Sequence, residues 1–104
     1  MITKINEQEF KTKVVNDPVA VVDFSATWCG PCRMLAPVLE AISEEMAGQV
    51  SFYSVDVDEC ESLAREFRVM SVPNLVLLKR GEYADQSIGF KPQAALSAWI
   101  KGNL

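Results

Sequence analysis

A chain of 104 residues, 49% of them hydrophobic and with a net charge of −4, has the length of one domain and can bury a core without disulfide or metal staples. It contains no histidine, which removes Ser-His-Asp and Cys-His nucleophile systems, the His-Glu-x-x-His zinc site and acid–base catalysis by imidazole. Its 10 basic residues form no run, so neither nucleic acid nor an anionic membrane has an electrostatic footprint to bind.

The amino-terminal residues lead directly into folded-type sequence. They show no signal-peptide pattern, and no stretch approaches the roughly 20 apolar residues of a membrane helix, so a cytoplasmic location is expected. Ile2 to Ile5 reads as a short strand. Asn6 starts a helix with a capping box, since Glu9 lies three residues on, and Ile5 and Phe10 occupy the hydrophobic-staple positions. Asn16-Asp17-Pro18 reads as a turn. Val19 to Phe24 is a continuous apolar run, the pattern of a central strand covered on both faces.

Leu35, Val38, Leu39, Ile42 and Met46 recur at helical spacing, with Gly48 closing the helix. Pro37 falls inside it, releases the Arg33 carbonyl and predicts a kink about one turn in. Val50 to Val55 reads as a strand, and Leu63, Ala64 and Phe67 mark a short helix. Asn74 to Lys79 and Tyr83 to Ile88 flank Arg80-Gly81 as a hairpin, and Leu96, Trp99 and Ile100 form the apolar face of a last helix. The predicted order is βαβαβαββα, an α/β mixed sheet with helices on both faces, spanning residues 1–104 as one domain.

The chemistry lies in Trp28-Cys29-Gly30-Pro31-Cys32. Two thiols at this spacing can ligate a metal, form a structural disulfide, or cycle between dithiol and disulfide. A structural zinc site wants four Cys or His ligands, and only Cys29, Cys32 and Cys60 are present, so no metal is expected. In a reducing cytoplasm a structural disulfide is disfavoured, which leaves the redox cycle. The apolar strand ends just before the motif and the helix begins just after it. Cys29 therefore sits at a helix N-terminus, where free amide N–H groups and the helix dipole favour a thiolate.

Cys29 is the expected nucleophile and Cys32, within the first turn and less exposed, the resolving thiol. Pro31 suits the first helical turn and Gly30 permits a tight approach. Asp23 reads in two ways: a strand-end carboxylate turned to water, or a buried carboxylate beneath Cys32 with a raised pKa suited to proton exchange. Cys60, at helical spacing with Leu63 and Phe67, reads as a small buried hydrophobe, and Asp58, Glu59 and Glu61 disfavour its thiolate.

Asp23-Phe-Ser-Ala-Thr-Trp-Cys-Gly-Pro-Cys-Arg33 resembles the active-site signature of the thioredoxin family. The match extends through Pro37, Val55-Asp-Val-Asp58, Ser71-Val72-Pro73, Lys79-Arg80-Gly81 and Gly89. The resemblance implies a five-stranded mixed sheet in the order 1-3-2-4-5 flanked by four helices, with the last two strands antiparallel to the first three. It implies a redox disulfide between Cys29 and Cys32, a proton-exchanging role for Asp23, and a cis Pro73 facing the thiols. Backbone groups around Ser71 and Val72 would pair with an extended substrate, and Trp28, Gly30, Pro31, Val72 and Gly89 would line a shallow docking surface.

The function implied is a general protein-disulfide reductase without a bound cofactor, monomeric, re-reduced by a flavin-containing, NADPH-dependent thioredoxin reductase. Its clients would be disulfide-containing proteins such as ribonucleotide reductase, peroxiredoxins or methionine sulfoxide reductase. Three positions depart from the common pattern: Ser25 for tryptophan, Ser54 for a lysine beside the aspartate, and Asn74 for threonine after Pro73. Two alternatives are a disulfide oxidase or isomerase, which usually carries histidine beside the second cysteine, and a non-catalytic binding subunit on the same fold.

Overall fold

The computed structural model describes residues 1–104 and opens on a two-residue strand, β1 (Thr3–Lys4), before helix α1 (Glu7–Lys13). Both halves of the capping box form: Asn6 Oδ1 accepts from the Glu9 amide at 2.8 Å, and Glu9 Oε1 accepts from the Asn6 amide at 3.2 Å. Ile5 and Phe10 are buried in one cluster, as a staple requires. A 3-10 turn over Val14–Asn16 leads to Asp17, which anchors the corner. Its carboxylate accepts from the Tyr53 hydroxyl at 2.5 Å and its carbonyl from the Arg80 amide at 3.0 Å.

The remaining elements are β2 (Ala20–Ser25), α2 (Gly30–Glu45), β3 (Ser51–Asp56), α3 (Glu61–Glu66), β4 (Asn74–Lys79), β5 (Glu82–Ile88) and α4 (Gln93–Gly102). The sheet order is β1-β3-β2-β4-β5, with β1, β3 and β2 parallel and β4 antiparallel to β2. β2 is central and buried almost throughout, which explains its unbroken apolar sequence.

The expected direction of β5 is wrong. Only β4 runs against the parallel trio. β5 is antiparallel to β4 and therefore runs with the first three strands. The cause is the two-residue turn Arg80-Gly81, in which both residues have positive φ (50° and 80°), the primed hairpin geometry that reverses the chain. Helix α2 also stops earlier than its apolar spacing implied: it ends at Glu45 with Met46 as C-cap, and Gly48 (φ 85°) serves the turn beyond. Pro37 lies within α2, which continues past it.

Side-chain alternation along the strands divides the core in two. Val22, Phe24, Val55, Val76 and Leu78 pack with Phe10, Val14 and Leu63 beneath α1 and α3. Val21, Phe52, Leu75 and Leu77 pack with Leu35, Leu39, Ile42, Leu96 and Ile100 beneath α2 and α4. Each such side chain, fully buried, contributes about 1.5–3 kcal/mol. The same alternation places Asp23, two residues after Val21, on the α2 side of the sheet. No helix is long and apolar enough to cross a membrane.

Candidate active site

Cys29 is the N-cap of α2, with extended backbone (φ −90°, ψ 113°), because the chain leaving β2 must turn before the helix begins. Its Sγ accepts from the Cys32 amide at 3.2 Å, so a sulfur fills the place of the usual capping oxygen. That contact and the helix dipole both favour negative charge on Cys29. Gly30 and Pro31 occupy the first turn, where the missing proline N–H leaves no bond unmade.

Cys29 and Cys32 are joined as a disulfide with Cα atoms 5.3 Å apart. Cys32 is no less exposed than Cys29, contrary to the sequence expectation: the two are 5% and 4% accessible. In this oxidised state Cys29 is covered by its own surroundings, with Val57 and Val72 packed on the cluster it forms with Ala26 and Cys32. Cys29 Sγ lies 3.7 Å from the Val72 carbonyl oxygen.

The Val72–Pro73 peptide bond is cis, and the Pro73 carbonyl accepts from the Gly89 amide at 2.8 Å. Gly89 has φ 86°, a conformation suited to glycine. Gly30 differs. A Cβ there would meet only Arg33 Nη2, at 4.0 Å, so nothing within this chain requires a glycine for close approach.

Trp28 is two-thirds exposed, and its indole Nε1–H donates to Asp58 Oδ2 at 2.9 Å. Beside it a groove of about 130 Å³ is lined by Trp28, Val57, Val69, Met70, Ser71 and Val72. Met70 and Asp58 were missed as site residues by the sequence reading. Met70 is 93% exposed at the groove edge, and no pattern in the sequence separates it from a core methionine. Asp58 closes the Val55-Asp-Val-Asp58 segment, but no spacing in the sequence ties it to Trp28.

Asp23 is buried, and Oδ1 has no hydrogen-bond partner. Burial pushes its pKa up to about 7. It shares a cleft with Cys32 and, in register across the β2–β3 pair, faces Ser54. Asn74 is fully buried and accepts from Gln86 Nε2 at 2.8 Å. Cys60 lies away from the other two thiols, in the cluster beneath α1 and α3. It is the N-cap of α3, immediately before the first helical residue Glu61, and makes no side-chain cap bond. Burial, then the Glu7 and Glu59 carboxylates, push its thiol pKa up.

A disulfide that closes a single helical turn restricts almost no unfolded chain, so it makes a poor structural staple. No three His, Cys, Asp or Glu side chains converge as metal ligands. What this fold and site define is a thiol–disulfide oxidoreductase. The family model described as Thioredoxin matches residues 1–102. Over 103 residues the chain is 42% identical to the thioredoxin of Bacillus subtilis strain 168, covering 99% of this chain and 98% of that protein. It is 43% identical, with the same coverage, to thioredoxins of Staphylococcus epidermidis and Staphylococcus aureus. The chain belongs to the thioredoxin family.

Proposed function

We propose that Cys29 and Cys32 carry out general protein-disulfide reduction with Asp23 as proton partner, and that a flavin-containing, NADPH-dependent thioredoxin reductase restores the dithiol. The Cys29 thiolate attacks one sulfur of a client disulfide, and the other client sulfur leaves as a thiolate. Cys32 passes its proton to the Asp23 carboxylate, and its thiolate attacks Cys29 Sγ. The client–Cys29 bond breaks and the client departs with both sulfurs reduced. The client gains two electrons, its two thiolates take their protons from solvent, to which Asp23 returns the proton of Cys32, and the protein is left as the Cys29–Cys32 disulfide.

The observation carrying this reading is the Cys29 sulfur at the α2 N-cap, accepting from the Cys32 amide. Asp23 suits its role because a group that titrates near neutral pH can both take and return a proton. Trp28, Val72 and the neighbouring groove serve as the client docking surface, with Ser71 and Val72 offering backbone groups to an extended client segment. Gly30 and Pro31 form the first turn of α2 between the two thiols, and Gly89 supports the Pro73 turn.

The test is to replace Cys32 by Ser and isolate mixed disulfides from cell extract. Capture on Cys29 of disulfide-containing proteins, lost on Cys29→Ser, supports the assignment, whereas capture on Cys60 alone overturns it. A reduction potential near about −270 mV rather than about −120 mV separates a reductase from an oxidase.

A further inference from the structure

The mechanism leaves one feature unused. Asp23 opens onto a cleft of about 350 Å³ whose polar lining includes Ser25, Thr27, Cys32, Arg33 and Ser54. The client groove beside Trp28 and Val72 shares no lining residue with it. The dithiol thus lies between two openings, with Cys29 against Val72 on one side and Cys32 on the other. A buried carboxylate oxygen with no protein partner needs water, and a cleft of this size with three hydroxyls supplies both the room and the partners.

We propose that this cleft is the route by which Asp23 exchanges its proton with solvent while a client covers the Cys29 side, and that Ser54 holds the route open. The inference rests on Asp23 acting as proton partner of Cys32. Once a client is bonded to Cys29, the groove is occupied and the proton released by Cys32 moves to Asp23: the S–H bond breaks and an O–H bond forms. Asp23 then returns it to cleft water, and the departing client thiolate takes a proton from solvent.

Ser54 is the register partner of Asp23 on β3, so its side chain stands beside the carboxylate. Its small size is what leaves the cleft open there. The charged and titratable groups lining the cleft with Asp23 come from α2: Cys32, Arg33 and Glu40. β3 and β4 present Ser54 and Leu75 in register and no charge, and Lys4 of β1 has its ammonium on Glu59 at 3.3 Å. Water is thus the group best placed to relay the proton.

The test is single-turnover reduction of a peptide disulfide, followed by tryptophan fluorescence so that attack by Cys29 and resolution by Cys32 appear as separate phases. Ser54→Leu fills the cleft, and Ser54→Val, which suits a strand, is the second variant should the first fold poorly. Both are expected to slow resolution and leave attack unchanged. Asp23→Ala is expected to slow resolution by at least about tenfold at neutral pH. Added formate, small enough for the cleft, restores much of that rate in Asp23→Ala but not in Asp23→Ala/Ser54→Val. Resolution at the parental rate in the Ser54 variants, or equal rescue by formate in the double variant, overturns the cleft as the route while leaving Asp23 in place. An Asp23→Ala variant that resolves at the normal rate overturns the Asp23 reading itself, and the route with it.

Discussion

Trp28 donates its indole N–H to Asp58 at 2.9 Å, which ties the residue before Cys29 to the loop after β3. The Asp58 amide donates to Asp56 Oδ1 at 2.8 Å, so the acceptor is itself held by a turn. The bond fixes the orientation of a large exposed ring at the edge of the client groove, where a free ring would have to be ordered on each binding event. Asp58→Ala is therefore expected to raise KM for a protein client by about threefold to tenfold, with kcat little changed. Reduction of a small disulfide, which does not use the groove, is expected to proceed at the normal rate. Steady-state kinetics on both substrates checks this, and an equal loss on the small disulfide counts against it.

Burial of Asp23 costs stability at neutral pH. Its folded pKa is about 7 against an ordinary 3.8, so between these values the folded protein holds a proton that the unfolded chain has released. Stability must then fall as pH rises from about 4 to about 7, by on the order of 4 kcal/mol. Glu7, Glu9 and Asp85 are shifted the other way, and their contributions are lost as pH falls below the ordinary values of 4.5 for the glutamates and 3.8 for Asp85, so they oppose the Asp23 slope only at the lower edge of this window. Denaturant unfolding of the disulfide form at several pH values should show the decline in the parent and not in Asp23→Asn. A parent curve that is flat across the window would falsify the burial argument.

The sequence disclosed local features better than relations between segments. The Asn6 box, the Arg80-Gly81 hairpin and the apolar β2 run are short-range patterns, and the elements form where those patterns lie. The strand order came from resemblance to a family, because nothing in residues 2–5 specifies pairing with β3. The same resemblance was misread for β5, although the hairpin signal already implied its direction. The placement of the pentapeptide at the α2 N-terminus, the burial of Asp23 and the cis bond before Pro73 were legible. Met70, the Asp58 bond to Trp28 and the cleft beside Ser54 were not, since each depends on packing between segments distant in sequence. Cys60 shows the limit of spacing alone: a residue at helical register with Leu63 turns out to cap the helix rather than enter it.

Asn74 ends the cis-proline turn in a buried position, accepting from Gln86, whose Oε1 in turn accepts from the Tyr83 hydroxyl at 3.2 Å. Asn74→Ala leaves the Gln86 amide without its partner and is expected to destabilise the fold by about 1–2 kcal/mol. A double-mutant cycle with Gln86→Ala should return a coupling of about 1 kcal/mol, and additive effects would dissociate the pair.

Gly81 has φ 80°, and a Cβ there would lie 2.9 Å from Val15 Cγ1 and 3.0 Å from Val15 Cα. Contact with backbone cannot be relieved by rotating a side chain. Gly81→Ala is expected to lose about 2–4 kcal/mol from the left-handed strain and the clash together. Arg80, at φ 50°, carries strain of the same kind without a clash, so Arg80→Gly should gain or lose less than about 1 kcal/mol. Chemical unfolding of both variants, with disulfide reduction unchanged when folded, tests the assignment of this turn to stability.

Cys60 is 2% exposed and is held as a neutral thiol by burial and by the Glu7 and Glu59 carboxylates. A thiol reagent needs both access and a thiolate, and the folded protein denies both. With an aromatic disulfide reagent, the reduced native protein is expected to react at Cys29, after which Cys32 displaces the adduct and closes the ring. Cys60 should remain free, reacting at least about a hundredfold more slowly, at a rate set by opening of the α3 region. In denaturant it should react at once. Mass analysis of the native product should find the Cys29–Cys32 disulfide, an unmodified Cys60 and no retained adduct. Rapid labelling of Cys60 would mean that the core beneath α1 and α3 opens far more readily than its packing of Phe10, Phe24 and Phe67 implies.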